Sequence, residues 1–301
     1  MAGKEENMVG TKRGFHIFVH IVMVIMVIVC LFPFVIMLMS SITDESALVI
    51  EGYSAFPKEL SMAAYEYLFK DPAMIVRAYG VTIIVTVCGT ALGLTISTLL
   101  AYGLSIKKLP FRNAIAFFLF FTMLFNGGTV PTYMVWTQIF HIKNTLAALI
   151  FPKLLVFAFY VIIMRTYFQT NIPGEIMEAA QIDGAGQFKI LRRIILPMSV
   201  PIIVSIGLMI GISYWNDWMN GLYYITDSKL YSIQQILNRM LEDVRYLTTN
   251  TSGVDSAGLA NIPSNALKMA IASIGALPVM VLLPFFQKYY VRGLTVGSVK
   301  G

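Results

Sequence analysis

Three adjacent residues, Trp215, Asn216 and Asp217, bring polar chemistry into a strongly apolar run. A carboxylate at the centre of a membrane-spanning helix costs about 2.5 to 3.5 kcal/mol, and less near the surface. That cost favours Asn216 and Asp217 facing an aqueous cavity or a partner helix. An aromatic face beside amide and carboxylate groups also suits a carbohydrate, because the ring covers C–H surfaces and the polar groups bind hydroxyls. The alternative for Trp215 is a place in the aromatic belt at the membrane interface.

Motifs for covalent or metal chemistry are missing from the sequence. There is no Gly-x4-Gly-Lys-Ser/Thr phosphate loop, no His-Glu-x2-His, no Gly-x-Ser-x-Gly and no Cys-x2-Cys pair. His16 and His20 lie four residues apart without a third ligand nearby, and they are interpreted as polar anchors at the membrane interface. Cys30 and Cys88 lie inside apolar runs and are interpreted as small core residues. The sequence therefore predicts no catalytic residue, no metal site and no cofactor.

A second candidate group surrounds Asn126, Gly127 and Gly128, which are followed by Pro131 and Tyr133. Two glycines and a proline in the middle of an apolar run would weaken or break a helix. Backbone groups freed at that depth persist only where they line a cavity or are buried in protein. We interpret the break as a wall of a translocation path, with a kink for helix packing as the alternative. The predicted path residues are Asn126, Gly127, Gly128, Tyr133, Trp215, Asn216 and Asp217.

The composition indicates which elements must position these residues. The chain is 57% hydrophobic and 13% charged, with a mean hydropathy of +0.73, which is typical of a multispanning membrane protein. Long apolar runs predict an all-α membrane protein with six transmembrane helices. Residues 1–14 are predicted to be a cytoplasmic tail, and residues 15–301 a single transmembrane domain. The predicted spans are about 15–39, 80–105, 113–136, 146–168, 198–223 and 266–286.

Basic residues predict the orientation. The net charge of +6 comes largely from Lys and Arg in short loops, so it indicates topology and not binding of nucleic acid. Residues 107–112 and 189–193 are such loops. Their placement in the cytoplasm puts both termini and the polar interval 171–197 on the inner side. Lys153 falls inside the fourth predicted span, where it could either reach toward the surface or face a pore.

The interval 171–197 predicts a helix, a break and a second helix. Pro173 fits a first helical position, and Glu178 lies in the second turn, near the positive end of the helix dipole. Gly184, after an aspartate, is a typical helix stop because glycine adopts the left-handed conformation easily. Residues 187–195 form the second helical run. A plain amphipathic linker between two spans is the alternative interpretation.

A fixed spacing of residues runs through the same interval. Its members are Glu178, Ala179, Ala180, Gly184, Ile194, Leu196 and Pro197. The spacing resembles the cytoplasmic signature of permease subunits of binding-protein-dependent ABC importers. The resemblance implies the type I importer permease fold, and it makes 171–197 a coupling segment docked in a cleft of an ATP-hydrolysing subunit. These residues, together with Asp183, would then contact that subunit.

The flanking sequence resembles the carbohydrate branch of those permeases. The resemblance lies in the phrase 125–133, in Trp215-Asn216-Asp217 and in the tail 293–301. It implies transport of a sugar, with an oligosaccharide expected, across the bacterial cell membrane by alternating access. The implied partners are a second homologous permease, two ATP-binding subunits or domains, an extracellular sugar-binding protein and the lipid bilayer. ATP hydrolysis would belong to a separate subunit.

Two other functions stay open at this point. An ion-coupled secondary transporter would need no ATPase, and Asp217 and Lys153 are its only candidate intramembrane charges. An ABC permease for a non-sugar substrate would share the same coupling signature. Dependence of uptake on ATP or on an ion gradient separates the first of these from the importer.

Overall fold

The chain is built from helices, as its long apolar runs require. The computed structural model describes residues 13–152, 155–249 and 263–295. Short π-helical turns extend α6 through Val135–Ile139 and join α10 to α11 through Leu191–Ile195. The helices are α1 (Arg13–Ser41), α2 (Glu45–Glu51), α3 (Ala63–Leu68), α4 (Pro72–Ser105), α5 (Arg112–Leu124), α6 (Thr129–Met134), α7 (Ala147–Ile150), α8 (Ala158–Thr170), α9 (Gly174–Ile182), α10 (Gln187–Ile190), α11 (Leu196–Met198), α12 (Val200–Trp215), α13 (Met219–Tyr224), α14 (Ile233–Thr249) and α15 (Ser264–Thr295).

The described residues form two compact units. The first contains those within Met1–Lys70 and Val244–Ile274, and the second those within Asp71–Asp243 and Gly275–Gly301. In the first unit, α1 ends in a hydrogen-bonded contact between the hydroxyls of Ser41 and Tyr65, 2.9 Å apart. The unit's core consists of Leu48, Ala64, Leu68, Ala266, Leu267, Ala270 and Ile271.

The second unit is centred on α4, which packs against both α12 and α8. Close packing is possible because Gly89, Gly93 and Ser97 form a buried face of small residues on α4. Large side chains fill the remaining space between these helices. The most deeply buried are Leu104, Leu149, Met164, Phe168, Ile190, Ile195, Ile206 and Ile210.

Three single helices of the described chain are long and apolar enough to cross a membrane. They are Gly14–Ser41, Pro72–Ser105 and Ser264–Leu282. Two further candidates are bent pairs, Arg112–Leu124 with Thr129–Ile139 at 116° and Gln187–Met198 with Val200–Trp215 at 83°. By length and composition the described residues therefore provide three spans, or five if each bent pair is one span, where the sequence predicts six.

The fourth predicted span, 146–168, is the one that fails this test. It is a short helix, α7, and a longer one, α8, with residues 151–152 and 155–157 between them in non-helical conformation. Pro152 accounts for part of the break, because proline has no N–H and its ring clashes with the preceding turn of a helix. Lys153, whose pore-facing or surface-facing position the sequence leaves open, lies outside the described residues.

Two predicted helix limits also differ. The helix of the second span begins at Pro72, because Asp71 caps it by accepting a hydrogen bond from the Met74 N–H at 3.1 Å, so α4 extends well before residue 80. Proline weakens a helix interior, so Pro278 and Pro284 predict an interruption of the sixth span. Instead α15 continues through Pro278 and Pro284.

Candidate functional site

The interval 171–197 has the helix, break and helix that its sequence predicts. Gly184 ends α9 with a φ of +74°, and α10 begins three residues later. One detail of the prediction is wrong: α9 begins at Gly174, and Pro173 is the residue before it and not its first residue. The side chain of Asn171 points back to α8 and donates to the Thr170 hydroxyl at 3.0 Å.

The two parts of the signature differ in exposure. Glu178, Ala179, Asp183 and Gly184 are exposed, and Ala180 is half-buried. In the second part, Pro197 is exposed, whereas Ile194 and Leu196 are half-buried against the core of the second unit. The first helix and its turn therefore present most of the free surface of this segment, and part of each of Ile194 and Leu196 packs inward.

Two large apolar side chains beside the signature are largely exposed. Ile182 is 85% exposed and Phe188 is 73% exposed. Each belongs to a polar stretch that also carries Asp183 and Lys189. Large apolar groups in such a place are typical of a protein contact. Sequence reasoning missed them, although two hydrophobic residues in an otherwise polar interval were a usable signal.

One hydrogen bond joins this segment to α4, and a second joins α4 to α8. The Tyr102 hydroxyl, near the end of α4, donates to the Gln187 side-chain oxygen at 2.7 Å. The Gln169 side-chain amide, at the end of α8, donates to the carbonyl oxygen of Ser105 at 3.3 Å. Ile172 is buried between α8 and α9. The segment is therefore joined to α4 through Gln187 of α10, and to α8 by the continuous chain between α8 and α9.

The helix break predicted at 126–128 separates α5 from α6. The Asn126 side-chain oxygen accepts a hydrogen bond from the Gly128 N–H at 2.9 Å. Gly128 has a φ of +87°, which an L side chain would adopt only with strain. All residues from 125 to 130 are exposed in the single chain. The open backbone at this point faces outward from the second unit.

Aromatic rings follow the break. Tyr133 is half-buried, and its ring stacks on that of Tyr224 with centroids 5.7 Å apart. One turn later the Trp136 ring lies nearly parallel to that of Phe151, with centroids 6.4 Å apart. Tyr133 thus contacts the last residue of α13, a helix that begins two residues after Asp217.

Trp215, Asn216 and Asp217 lie in three different environments. Trp215 is buried, and its indole N–H donates to the carbonyl oxygen of Gly275 at 3.2 Å. Asn216 is exposed. Asp217 caps α13, since its carboxylate accepts from the N–H groups of Met219 and Asn220, both at 3.2 Å. Among the three, Asn216 is the side chain most open to a ligand.

Tyr214 and Asn220, which flank that phrase, were not singled out from the sequence. The Tyr214 hydroxyl donates to the carbonyl oxygen of Ile150 at 2.8 Å, and the Asn220 side-chain amide donates to that of Pro152 at 3.0 Å. Both side chains are buried. Their targets become recognisable only when α12 and α13 are placed against the interrupted span, so no local sequence signal could have identified them.

Within the described residues no three His, Cys, Asp or Glu side chains are grouped so that they could hold a metal ion. The same residues provide several helices, single or bent, that are long and apolar enough to cross a membrane, and an exposed helical segment, α9, between two of them. Together these define a helical membrane protein with an exposed segment between its spans.

The chain belongs to a known family of such proteins. Residues 10–296 match the family described as the inner-membrane component of binding-protein-dependent transport systems. It is therefore a permease component of an ABC importer in the cytoplasmic membrane. Members of this family are transport subunits and not enzymes in themselves.

Several relatives are similar over nearly their whole length. The polygalacturonan/rhamnogalacturonan transport system permease protein YtcP of Bacillus subtilis is 33% identical over 290 residues, which cover 96% of this chain and 99% of YtcP. Protein LplC of the same organism is 35% identical over 275 residues, covering 91% and 90%. The trehalose/maltose permease protein MalG of Thermococcus litoralis is 28% identical over 281 residues, covering 92% and 94%.

A solved structure has the same fold. It is a chain from a bacterial ABC transporter involved in the import of the acidic polysaccharide alginate, with a TM-score of 0.76 and 24% identity. The match covers 96% of this chain and all of that chain. The two chains therefore share one fold over nearly their whole length.

Proposed function

We propose that this chain is one of two permease subunits through which an ATP-driven importer moves an oligosaccharide into a bacterial cell. The observation that carries the proposal is the exposed surface of α9 and its Gly184 turn, which bears the family's signature. This segment is hydrogen-bonded to α4 through Gln187 and follows α8 directly in the chain. The substrate class follows from the relatives, because YtcP is named for polygalacturonan and rhamnogalacturonan and MalG for trehalose and maltose.

The proposed topology has six spans with both termini in the cytoplasm. The spans are α1, α4, α5 with α6, α7 with α8, α12 and α15, and the interval 171–197 lies on the inner side. Basic residues in the short loops support this orientation. The broken helices are compatible with it, because backbone freed at membrane depth can be satisfied by neighbouring protein or by a water-filled cavity.

In the proposed coupling, one of two ATP-binding subunits holds the segment 171–197 in a cleft. Glu178, Ala179 and Ala180 supply a charged edge and a shallow surface on α9, and Asp183 and Gly184 shape the turn. Ile194, Leu196 and Pro197 continue the contact where they are accessible. Closure of the two ATP-binding subunits would draw this segment toward its counterpart in the second permease and move the attached spans. ATP is hydrolysed in those separate subunits.

The proposed sugar path passes the break between α5 and α6. Its exposed backbone and Asn126 would meet water or sugar hydroxyls, and Gly127 and Gly128 leave room for close approach. Tyr133 offers part of an aromatic face. Asn216 adds an amide to the path. Trp215 and Asp217 stabilise its wall, Trp215 through the indole hydrogen bond and Asp217 through the cap of α13. An extracellular sugar-binding protein would deliver the substrate from the outer side.

The test is reconstitution of the complete transporter in proteoliposomes. This chain is purified with its partner permease, its ATP-binding subunits and its binding protein, and uptake of oligogalacturonate and of a malto-oligosaccharide is measured. We expect uptake of at least one of them that requires ATP inside the vesicles and the binding protein outside. Uptake driven by a proton or sodium gradient without ATP would overturn the proposal in favour of a secondary transporter. ATP-dependent uptake of a non-sugar alone would overturn the substrate class.

A further inference from the structure

The interruption between α7 and α8 is supported by two side chains from elsewhere in the second unit. A break in a buried helix leaves carbonyl oxygens without their usual N–H partners, which is costly unless another donor is supplied. Tyr214 supplies its hydroxyl to Ile150, and Asn220 supplies its side-chain amide to the carbonyl oxygen of Pro152. These two bonds hold the outer side of the break, just after α7.

The neighbouring helix α4 is shaped to receive the same region. A Cβ placed on Gly93 would lie 2.8 Å from the carbonyl oxygen of Leu155, closer than real side chains allow. A Cβ placed on Gly89 would overlap the Tyr214 ring. Glycine at these two positions is therefore required by the close approach of the interrupted backbone and of the ring that supports it. The break is therefore closely packed against α4.

Asp217 places one of the two donors. By accepting from the Met219 and Asn220 N–H groups it starts α13 at a defined point, and α13 packs against α7. The buried amide of Asn220 then lies opposite Pro152. The donors on α12 and α13 are thus linked to each other through the turn that joins the two helices.

On the other side of the break, α8 leads directly to the segment proposed to couple to ATP hydrolysis. It has 13 residues, which is about 20 Å at the rise of an α-helix. Val161, Met164 and Phe168 are buried along it, and α9 begins four residues after its end. A displacement of α9 therefore reaches the break through one rigid helix, while α7 is held by Tyr214 and Asn220.

We infer that Tyr214 and Asn220 are positioning residues that hold the outer end of the fourth span in place. When the coupling segment moves, α8 then rotates relative to an immobile α7. The inference rests on the proposed function, because it assumes that force enters through α9. The anchor converts displacement of α9 into reorientation of α8 relative to α12 and α13. Without it, part of the displacement would be lost in movement of α7.

The experiment measures sugar uptake and ATP hydrolysis in the same proteoliposomes of the complete transporter, with the sugar that the wild type transports. Tyr214→Phe removes the hydroxyl but keeps the ring, and Asn220→Leu removes the amide donor at similar size without adding a charge. We expect each to retain the ATP-binding subunits within about twofold of wild type, and to lower the sugar taken up per ATP hydrolysed about fivefold or more. A role in folding alone would change the amount of assembled complex and leave this ratio unchanged.

Tyr223→Phe, the same chemical change in α13, and Gly80→Ala, in the open part of α4, are the controls and should leave the ratio within twofold of wild type. A wild-type ratio in both Tyr214→Phe and Asn220→Leu would overturn the inference. Should neither assemble, Asn220→Ser, which shortens the side chain and withdraws its donor from the Pro152 carbonyl, is measured in the same way. A ratio about fivefold or more below wild type supports the inference, and a wild-type ratio overturns it. Retention of an ATP-binding subunit by the wild-type chain is measured before any ratio is compared. Its absence would overturn the proposed function itself.

Discussion

The carboxylate of Glu45 accepts the backbone N–H of Asn265 with both oxygens, each at 3.0 Å, although the two residues are 220 positions apart in the chain. One of those oxygens also accepts from the N–H of Ala266 at 3.0 Å. The first turn of α15 is thereby satisfied by a side chain of α2, within the first unit. An anion at this end of a helix also opposes the positive end of the helix dipole.

Replacement of Glu45 should therefore weaken the first unit. We expect Glu45→Ala to lower the stability by about 1 to 2 kcal/mol, as loss of a helix cap does, and Glu45→Gln to have a smaller effect. Thermal unfolding of the purified protein in detergent measures the change. Glu51→Ala is the matched control, because Glu51 pairs only with exposed Lys58 and should change the transition little. Equal shifts for the two variants would show that the Glu45 contact is not stabilising.

Reversal of charge at Glu178 tests the docking surface. Since the side chain is exposed on α9, Glu178→Lys should insert and fold normally. It should nevertheless fail to retain the ATP-binding subunit on co-purification, because a cation would replace the anion at the proposed contact. Glu59→Lys, the same change in the segment predicted to be outside, is the control. Wild-type retention by Glu178→Lys would remove Glu178 from the docking role.

Truncation of the exposed apolar side chains should weaken the same contact. Burial of a large apolar side chain contributes about 1.5 to 3 kcal/mol, so Phe188→Ala and Ile182→Ala are each expected to reduce affinity for the ATP-binding subunit about tenfold or more. Stability of the isolated chain should not fall, because both side chains are already largely exposed. Phe56→Ala, at a still more exposed position in the first unit, serves as the control. The affinity is measured by titration with the ATP-binding subunit. Wild-type affinity in both variants would contradict the prediction.

Two substitutions of Asp217 separate its cap from its charge. Asp217→Ala should lower sugar uptake while leaving sugar-independent ATP hydrolysis largely intact, because it removes the cap of α13 and thereby displaces Asn220. Asp217→Asn should keep most of the uptake, since its amide oxygen can accept from the same N–H groups. If Asn were as defective as Ala, the charge itself would be needed in the path. Unchanged uptake in Asp217→Ala would assign the residue to packing alone.

Much of the local structure was predictable because its causes are local. The stop at Gly184 and the break at 126–128 depend on backbone conformations that only a few residue types adopt readily. Apolar residues at 233, 236, 237, 240, 241 and 244 likewise recur at helical spacing, which is typical of an amphipathic helix, and the structure has α14 there. The interruption of the fourth span was not predicted, even though Pro152 was visible. Pro278 and Pro284 show why, since α15 continues past both of them.

The amino-acid sequence by itself determined the class of molecule, the spacing that resembles the coupling signature, and the helix ends at Gly184 and at 126–128, because hydropathy, spacing and backbone preference act between near neighbours. Only the tertiary structure decided what each polar group meets. It turned Trp215 toward Gly275, made Asp217 a helix cap and brought Tyr214 to the carbonyl of Ile150, 64 positions away. Such pairs form because a buried polar group requires a partner, and which partner is within reach depends on how the helices pack.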